Sequence, residues 1–244
     1  VIRVIATLTA RALAGRRRSL LVTLLGALPI LIALLVRLSG RVTGLDRVTE
    51  TLMDRLVIST LVPLVALVFG TAALGSELDD GTAIYLIAKP IARWRIIVAK
   101  VGVAAGLAIA VTAPAAFVAA ALLSSGSSGL TIAIGYAVGA AVAAGLYAAV
   151  FLALSLITGR ALAIGLIYVL VWEGILAGLF EGTRTFSIRQ YALGIADAIA
   201  GGSKGATGEL LAGSSAVILS VTVCAIAFAI AVRRLQTYEI GEAD

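Results

Sequence analysis

The 244-residue sequence has no histidine, one cysteine and one methionine. Without histidine, most haem and zinc sites and the H-E-x-x-H and Ser–His chemistries are excluded. The lone cysteine, Cys224, sits in an apolar run and permits neither an intrachain disulfide nor a thiolate cluster. Charge is scarce as well, at 13% against 61% hydrophobic residues, a balance foreign to soluble domains. No phosphate-cradling loop is present. Gly201–Gly208, GGSKGATG, lacks the G-x-x-x-x-G-K-[ST] spacing and reads as a flexible connection. Asp79-Asp80-Gly81 has no second carboxylate cluster to complete a metal site. An enzyme is therefore not expected, and neither is a metal or cofactor bound by this chain. Met53 is the only methionine, so the natural start is expected to be modified, trimmed or missing.

What the chain does have is long apolar runs. A helix needs ~20 such residues to cross ~30 Å of hydrocarbon. Six runs qualify, at 20–36, 56–75, 96–123, 130–157, 161–180 and 213–232. The expectation is one all-α polytopic membrane domain over 1–244 with six transmembrane helices. Ahead of them, Val1, Ile5, Leu8 and Ala12 share one helical face opposite Arg3, Thr7 and Arg11, which predicts an amphipathic elbow helix lying at the interface. Arg37–Arg55 reads as a mixed-charge loop, and Glu181–Ala212 as a long polar connection with a short helix near Arg189–Ala200. Pro29, Pro63 and Pro114 fall inside spans, where proline is common. Gly135, Gly139 and Gly145 in the fourth span permit close helix packing.

The net charge of +6 lies beside the apolar runs, which speaks for membrane topology rather than nucleic acid. With the N-terminus inside, most of the 19 lysines and arginines fall on the inner side. Both termini and the 76–100 stretch are then cytoplasmic.

That stretch, SELDDGTAIYLIAKPIARWRIIVAK, is the longest charged segment between two apolar runs. Its residues must reach water, Ile84, Ile87 and Ile91 recur at helical spacing, and Pro90 ends or kinks whatever precedes it. It is either a short docking helix or a solvated charge run. Glu173 is the one charge inside a span. It is either a proton or substrate contact in a pathway, or a hydrogen-bonded carboxylate close to the outer interface.

Glu77-x-x-x-Gly81-Thr82 followed by Pro90-x-x-Arg93 and an apolar span resembles the cytoplasmic loop of the ABC type 2 (ABC-2) exporter permeases. The elbow, the six spans and Trp172-Glu173 in the fifth are similar to that family too. The stretch from Gly182 to Tyr191 looks like the subgroup that includes the nitrous-oxide-reductase maturation permease. The resemblance implies a coupling helix between spans two and three, with Glu77, Gly81, Thr82, Pro90 and Arg93 docking a separate ABC ATPase. ATP and Mg would sit on that partner. It also implies pairing with a second permease copy or a sibling, in a bacterial cytoplasmic membrane. Two other classes stay open: a proton-coupled carrier using Glu173, and a membrane scaffold for an extracytoplasmic protein held by the outer loops.

Overall fold

The computed structural model describes residues 2–13, 15–39, 44–79, 92–124, 128–176, 185–202 and 210–237. Every described element is helical. Helix α1 is Ile2–Leu13 and α2 is Arg16–Ser39. A continuous helical stretch then runs through α3 (Leu45–Thr51), a π-helical segment π1 (Leu52–Leu61) and α4 (Val62–Asp79). After it come α5 (Arg93–Leu123), α6 (Gly129–Ser155), α7 (Ala161–Ile167) and a second π segment, π2 (Tyr168–Leu176). Two helices close the chain, α8 (Ile188–Ala200) and α9 (Gly213–Gln236).

Five of these stretches are long and apolar enough to cross a membrane: Leu21–Ser39, Leu45–Gly75, Arg93–Leu123, Gly129–Ser155 and Gly213–Gln236. The fifth expected span, 161–180, is a shorter apolar helix over Ala161–Gly174, and 177–180 lie outside the described residues. The expected loop Arg37–Arg55 is mostly helix. Arg37 ends α2, and Arg47, Asp54 and Arg55 are wound into α3 and π1. Its charges follow a helical repeat, so they ride on the extended end of the second span.

Proline explains the first π segment. Pro63 lacks an N–H and its ring crowds the preceding turn, a defect that local π winding accommodates. Within π1, Ser59 Oγ donates to the Asp54 carbonyl at 2.7 Å and Thr60 Oγ1 to the Arg55 carbonyl at 2.9 Å. Both bonds reach back five residues, the π spacing.

The bundle closes on small side chains. Ala104, Ala108, Thr112, Ala116 and Ala120 form a fully buried ridge at four-residue spacing along α5, and α5 packs most extensively against α6. Without a hydrophobic driving force between helices in lipid, such close approach supplies van der Waals contact. By contrast α2 and α9 leave large apolar residues outward, among them Leu24 at 68% exposure and Val221 at 64%. Apolar faces of this kind suit lipid or a second membrane helix. In α1 the packed stripe is Ile5, Thr9 and Leu13, set against α5, while Leu8 is exposed. This shifts the apolar face expected from the helical wheel, because the i, i+4, i+8 row fits the neighbouring helix.

Two of the four glycines of α6, Gly135 and Gly139, set the position of α8. A Cβ on Gly135 would lie 2.6 Å from the Ala196 carbonyl, and one on Gly139 the same distance from that of Ala192. Helix α8 therefore runs antiparallel to α6 and in backbone contact with it. Nothing comes within 4 Å of a Cβ on Gly145. The expected short helix near Arg189–Ala200 is thus present, but packed into the bundle: Tyr191, Ala192 and Ala196 are all buried. Helices α4 and α5 end and begin on either side of residues 80–91, and this is the loop end of the bundle. The C-terminus of α8 lies at the opposite end, near the start of α6.

Candidate functional site

Of the residues expected to dock a partner, Glu77 lies in the last turn of α4 and Arg93 is the first residue of α5. Gly81, Thr82 and Pro90 lie outside the described residues. Helices α4 and α5 pack together, so Glu77 and Arg93 belong to the same end of the bundle. Beside Arg93, the Arg95 guanidinium stands 5.3 Å from the Trp94 ring centroid. An exposed Trp with a stacked cation suits the membrane–water boundary.

Lys100, the last charge of the 76–100 stretch, does not share that exposure. It is fully buried, and its Nζ donates to the Ala73 carbonyl on α4 at 2.6 Å. The expectation that the whole stretch is solvated ends here. Ile96, Ile97, Lys100 and Ala104 fall on one helical face and are all fully buried, a 3–4 residue pattern present in the sequence.

Glu173 is also fully buried, and lies near Tyr147, past the middle of α6. Three donors hold its carboxylate. Ser187 Oγ donates at 2.5 Å, the Ile188 backbone N–H at 3.0 Å and the Tyr168 hydroxyl at 3.2 Å. Ser187 is the N-cap of α8, its Oγ accepting from the Gln190 N–H at 3.3 Å. A carboxylate there meets orphan N–H groups and the positive end of the helix dipole. The winding of π2 sets Tyr168 and Glu173 to face the same spot. Stacked Tyr147 and Phe151, with Phe151 edge-on to Tyr168, fill the space around them. The Tyr147 hydroxyl lies near the same carboxylate but falls short of hydrogen-bond geometry. Trp172 Nε1 donates to the Phe186 carbonyl at 3.3 Å and the Tyr191 hydroxyl to that of Thr185 at 2.5 Å. The approach to α8 is therefore tied on both sides.

The next residue of α8 makes a second tie. Arg189 holds Asp54 of π1 through two bonds, Nε to Oδ1 at 2.8 Å and a second nitrogen to Oδ2 at 2.6 Å. Successive residues of α8 thus connect to both π segments. Asp54 and Arg189 were not singled out in the sequence; Ser187 ahead of a helical pattern was the readable signal.

Beyond Asp54 lies a cavity of ≈ 500 Å³ at the end opposite the loop, bordered by Asp46, Glu50, Asp54, Arg55, Tyr136 and Asp197. Its carboxylates disfavour anions. Among the described residues no group of three or more His, Cys, Asp or Glu could hold a metal ion.

Long apolar helices, small-residue packing and lipid-facing outer helices define a multi-pass α-helical membrane protein. Residues 5–240 match the family described as ABC-2 family transporter protein. The chain belongs to that family, the membrane subunits of ABC transporters, which work with an ABC ATPase. No curated protein matches the chain.

Proposed function

We infer that this chain is the membrane-spanning subunit of an ABC exporter and that a separate ATPase docks on residues 76–100. The observation that carries the reading is the family match over nearly the whole chain, 5–240, in a sequence with no phosphate-binding loop. The packed ends of α4 and α5 support it, since they bring the two borders of the 80–91 stretch to one end of the bundle. ATP and Mg belong to the partner. Six crossings are proposed, the fifth being α7–π2 completed by α8, with both termini and the loop end in the cytoplasm of a bacterial inner membrane. Two copies, or this chain and a sibling, pair to form the pathway. The ATPases drive the two loops together on nucleotide binding.

Glu173 enters as the cap that seats α8 rather than as a proton carrier, because three donors already occupy its carboxylate. An extracytoplasmic protein is a further partner, on the strength of the resemblance of 182–191 to permeases of nitrous-oxide-reductase maturation.

The test is a mild-detergent pull-down of the chain from its native membranes. A near-stoichiometric ATPase is expected with the wild type and lost with Arg93→Glu. An acidic residue at the first position of α5 suits the helix dipole, so that loss would not come from unwinding α5. A chain that brings down no ATPase would overturn the reading.

A further inference from the structure

Helices α6 and α9 end beside a groove that the reading above does not use. It has a volume of ≈ 420 Å³ and is bordered by Ile157, just past α6, and by Ile230, Arg233, Arg234 and Thr237 on α9. That volume is within the usual range of small-molecule sites. A Cβ on Gly75 of α4 would lie 3.6 Å from that of Ser155, so the groove belongs to the same end of the bundle as the end of α4. Ile157 and Ile230 are 48% and 39% exposed, and both arginines are exposed. Among the described residues neither guanidinium has a carboxylate partner.

The pattern along α9 gives the groove a direction. Leu219, Val223, Ile226 and Ile230 recur at three- and four-residue steps and lead into Arg233 and Arg234, so they form one flank of the helix. The face packed into the bundle is a different one, carrying Ala227, Ala231 and Leu235. From Leu219 to Ile230 the apolar flank rises about 16 Å at ~1.5 Å per residue. That is half of a ~30 Å hydrocarbon core, the depth of one leaflet.

An apolar strip one leaflet deep that ends in two cations fits an amphiphile with a negative headgroup. A phosphodiester suits it best, because its oxygens meet the planar guanidinium fork. Both helices present their carbonyl ends here, which repel an anion. Thr237 Oγ1 donates to the Arg233 and Arg234 carbonyls at 3.2 Å each. This occupies part of that negative end and leaves the guanidiniums to set the sign of the groove.

We propose that this groove binds one anionic phospholipid, its phosphate held by Arg233 and Arg234 and an acyl chain laid along Ile230 and Ile226 toward Leu219. The lipid fills the space between α9 and the turn after α6, and so fastens the Gln236 end of a helix whose apolar surface is largely outward. The binding needs no ATPase and stands apart from the docking reading.

The experiment uses the full chain, purified in a mild neutral detergent and stripped of native lipid. Native mass spectrometry compares phosphatidylglycerol with phosphatidylcholine of the same acyl chains. The wild type is expected to prefer phosphatidylglycerol. Arg233→Gln with Arg234→Gln is expected to lower that affinity about 25-fold, near fivefold for each basic residue at an anionic surface, with phosphatidylcholine unaffected. Arg37→Gln with Arg47→Gln removes the same charge at the opposite end of the bundle and is expected to keep the preference. Equal loss in the two double variants would mean bulk charge rather than a site, and overturns the proposal. Ile157→Glu puts a carboxylate into the groove from an exposed turn with both arginines intact. It is expected to lose the preference as well, and a retained preference there counts against the site even if the arginine variants fail to insert. Displacement by inorganic phosphate at the concentration of the lipid would leave only a free-anion site and sinks the lipid reading. A wild type without preference does the same. If that preference then appeared in Glu239→Gln with Glu242→Gln, the arginines would belong to those carboxylates. Finally, in a Cys224→Ser background, an Ile230→Cys disulfide between two chains in the membrane would put a second copy on the strip in place of the lipid.

Discussion

Lys100 and Glu173 are both fully buried, yet they are held in opposite ways. The lysine stands between two long, continuous helices and crosses from one to the other through a flexible four-carbon stem. The glutamate stands where the chain is broken. It gathers the π2 hydroxyl of Tyr168, the N-cap hydroxyl of Ser187 and the first N–H of α8 onto one carboxylate. A cation between intact helices ties elements that would form without it. An anion at a helix start satisfies donors that the break itself creates. The first fastens finished helices and the second lets the break exist.

The difference should be largest in stability. Glu173→Leu leaves three buried donors without their acceptor, at about 1–3 kcal/mol for each orphaned group. A loss of roughly 3–5 kcal/mol is expected in unfolding measured in mixed micelles. Lys100→Met removes the charged bond to the Ala73 carbonyl, and about 1–3 kcal/mol is expected. Equal losses in the two variants would break the comparison.

Moving α8 without touching either charge sharpens it. Gly139→Val drives a side chain into the Ala192 carbonyl and should cost roughly 1–3 kcal/mol. Hydrogen exchange at Ile188 should rise while the α4–α5 pair stays protected. Gly145→Ala meets nothing within 4 Å, and a change within about 0.5 kcal/mol is expected. Unaltered exchange in Gly139→Val would mean that Glu173, not the glycine contact, seats α8.

The smallest effect belongs to the second tie. Arg189→Lys keeps the charge but loses the two-pronged grip on Asp54, at about 1 kcal/mol for a partly buried pair. The same assay resolves it from Glu173→Leu. If the two variants matched, the Asp54 tie would carry as much of the α8 seat as the cap.

Much of this was readable in the residues. The runs at 96–123, 130–157 and 213–232 correspond closely to α5, α6 and α9, because a stretch too apolar for water has one way to satisfy its backbone in lipid. The boundaries at 37–55 and 161–180 were not readable, since charge marks a residue as polar without saying whether it leaves the helix. Gly135, Gly139 and Gly145 look alike in sequence, and only the path of α8 separates the two that touch it from the one that does not.

The chain by itself thus determined a helical membrane protein through hydropathy, and the resemblance across 76–100 pointed to the ABC-2 family that the match over 5–240 shows. The tertiary structure decided what its two buried charges do. Solvation energy depends on sequence alone only for long uniform runs. For a single ion it depends on which donors and acceptors distant helices bring within 3 Å or so, and here those lie on α4 for Lys100 and on α8 for Glu173.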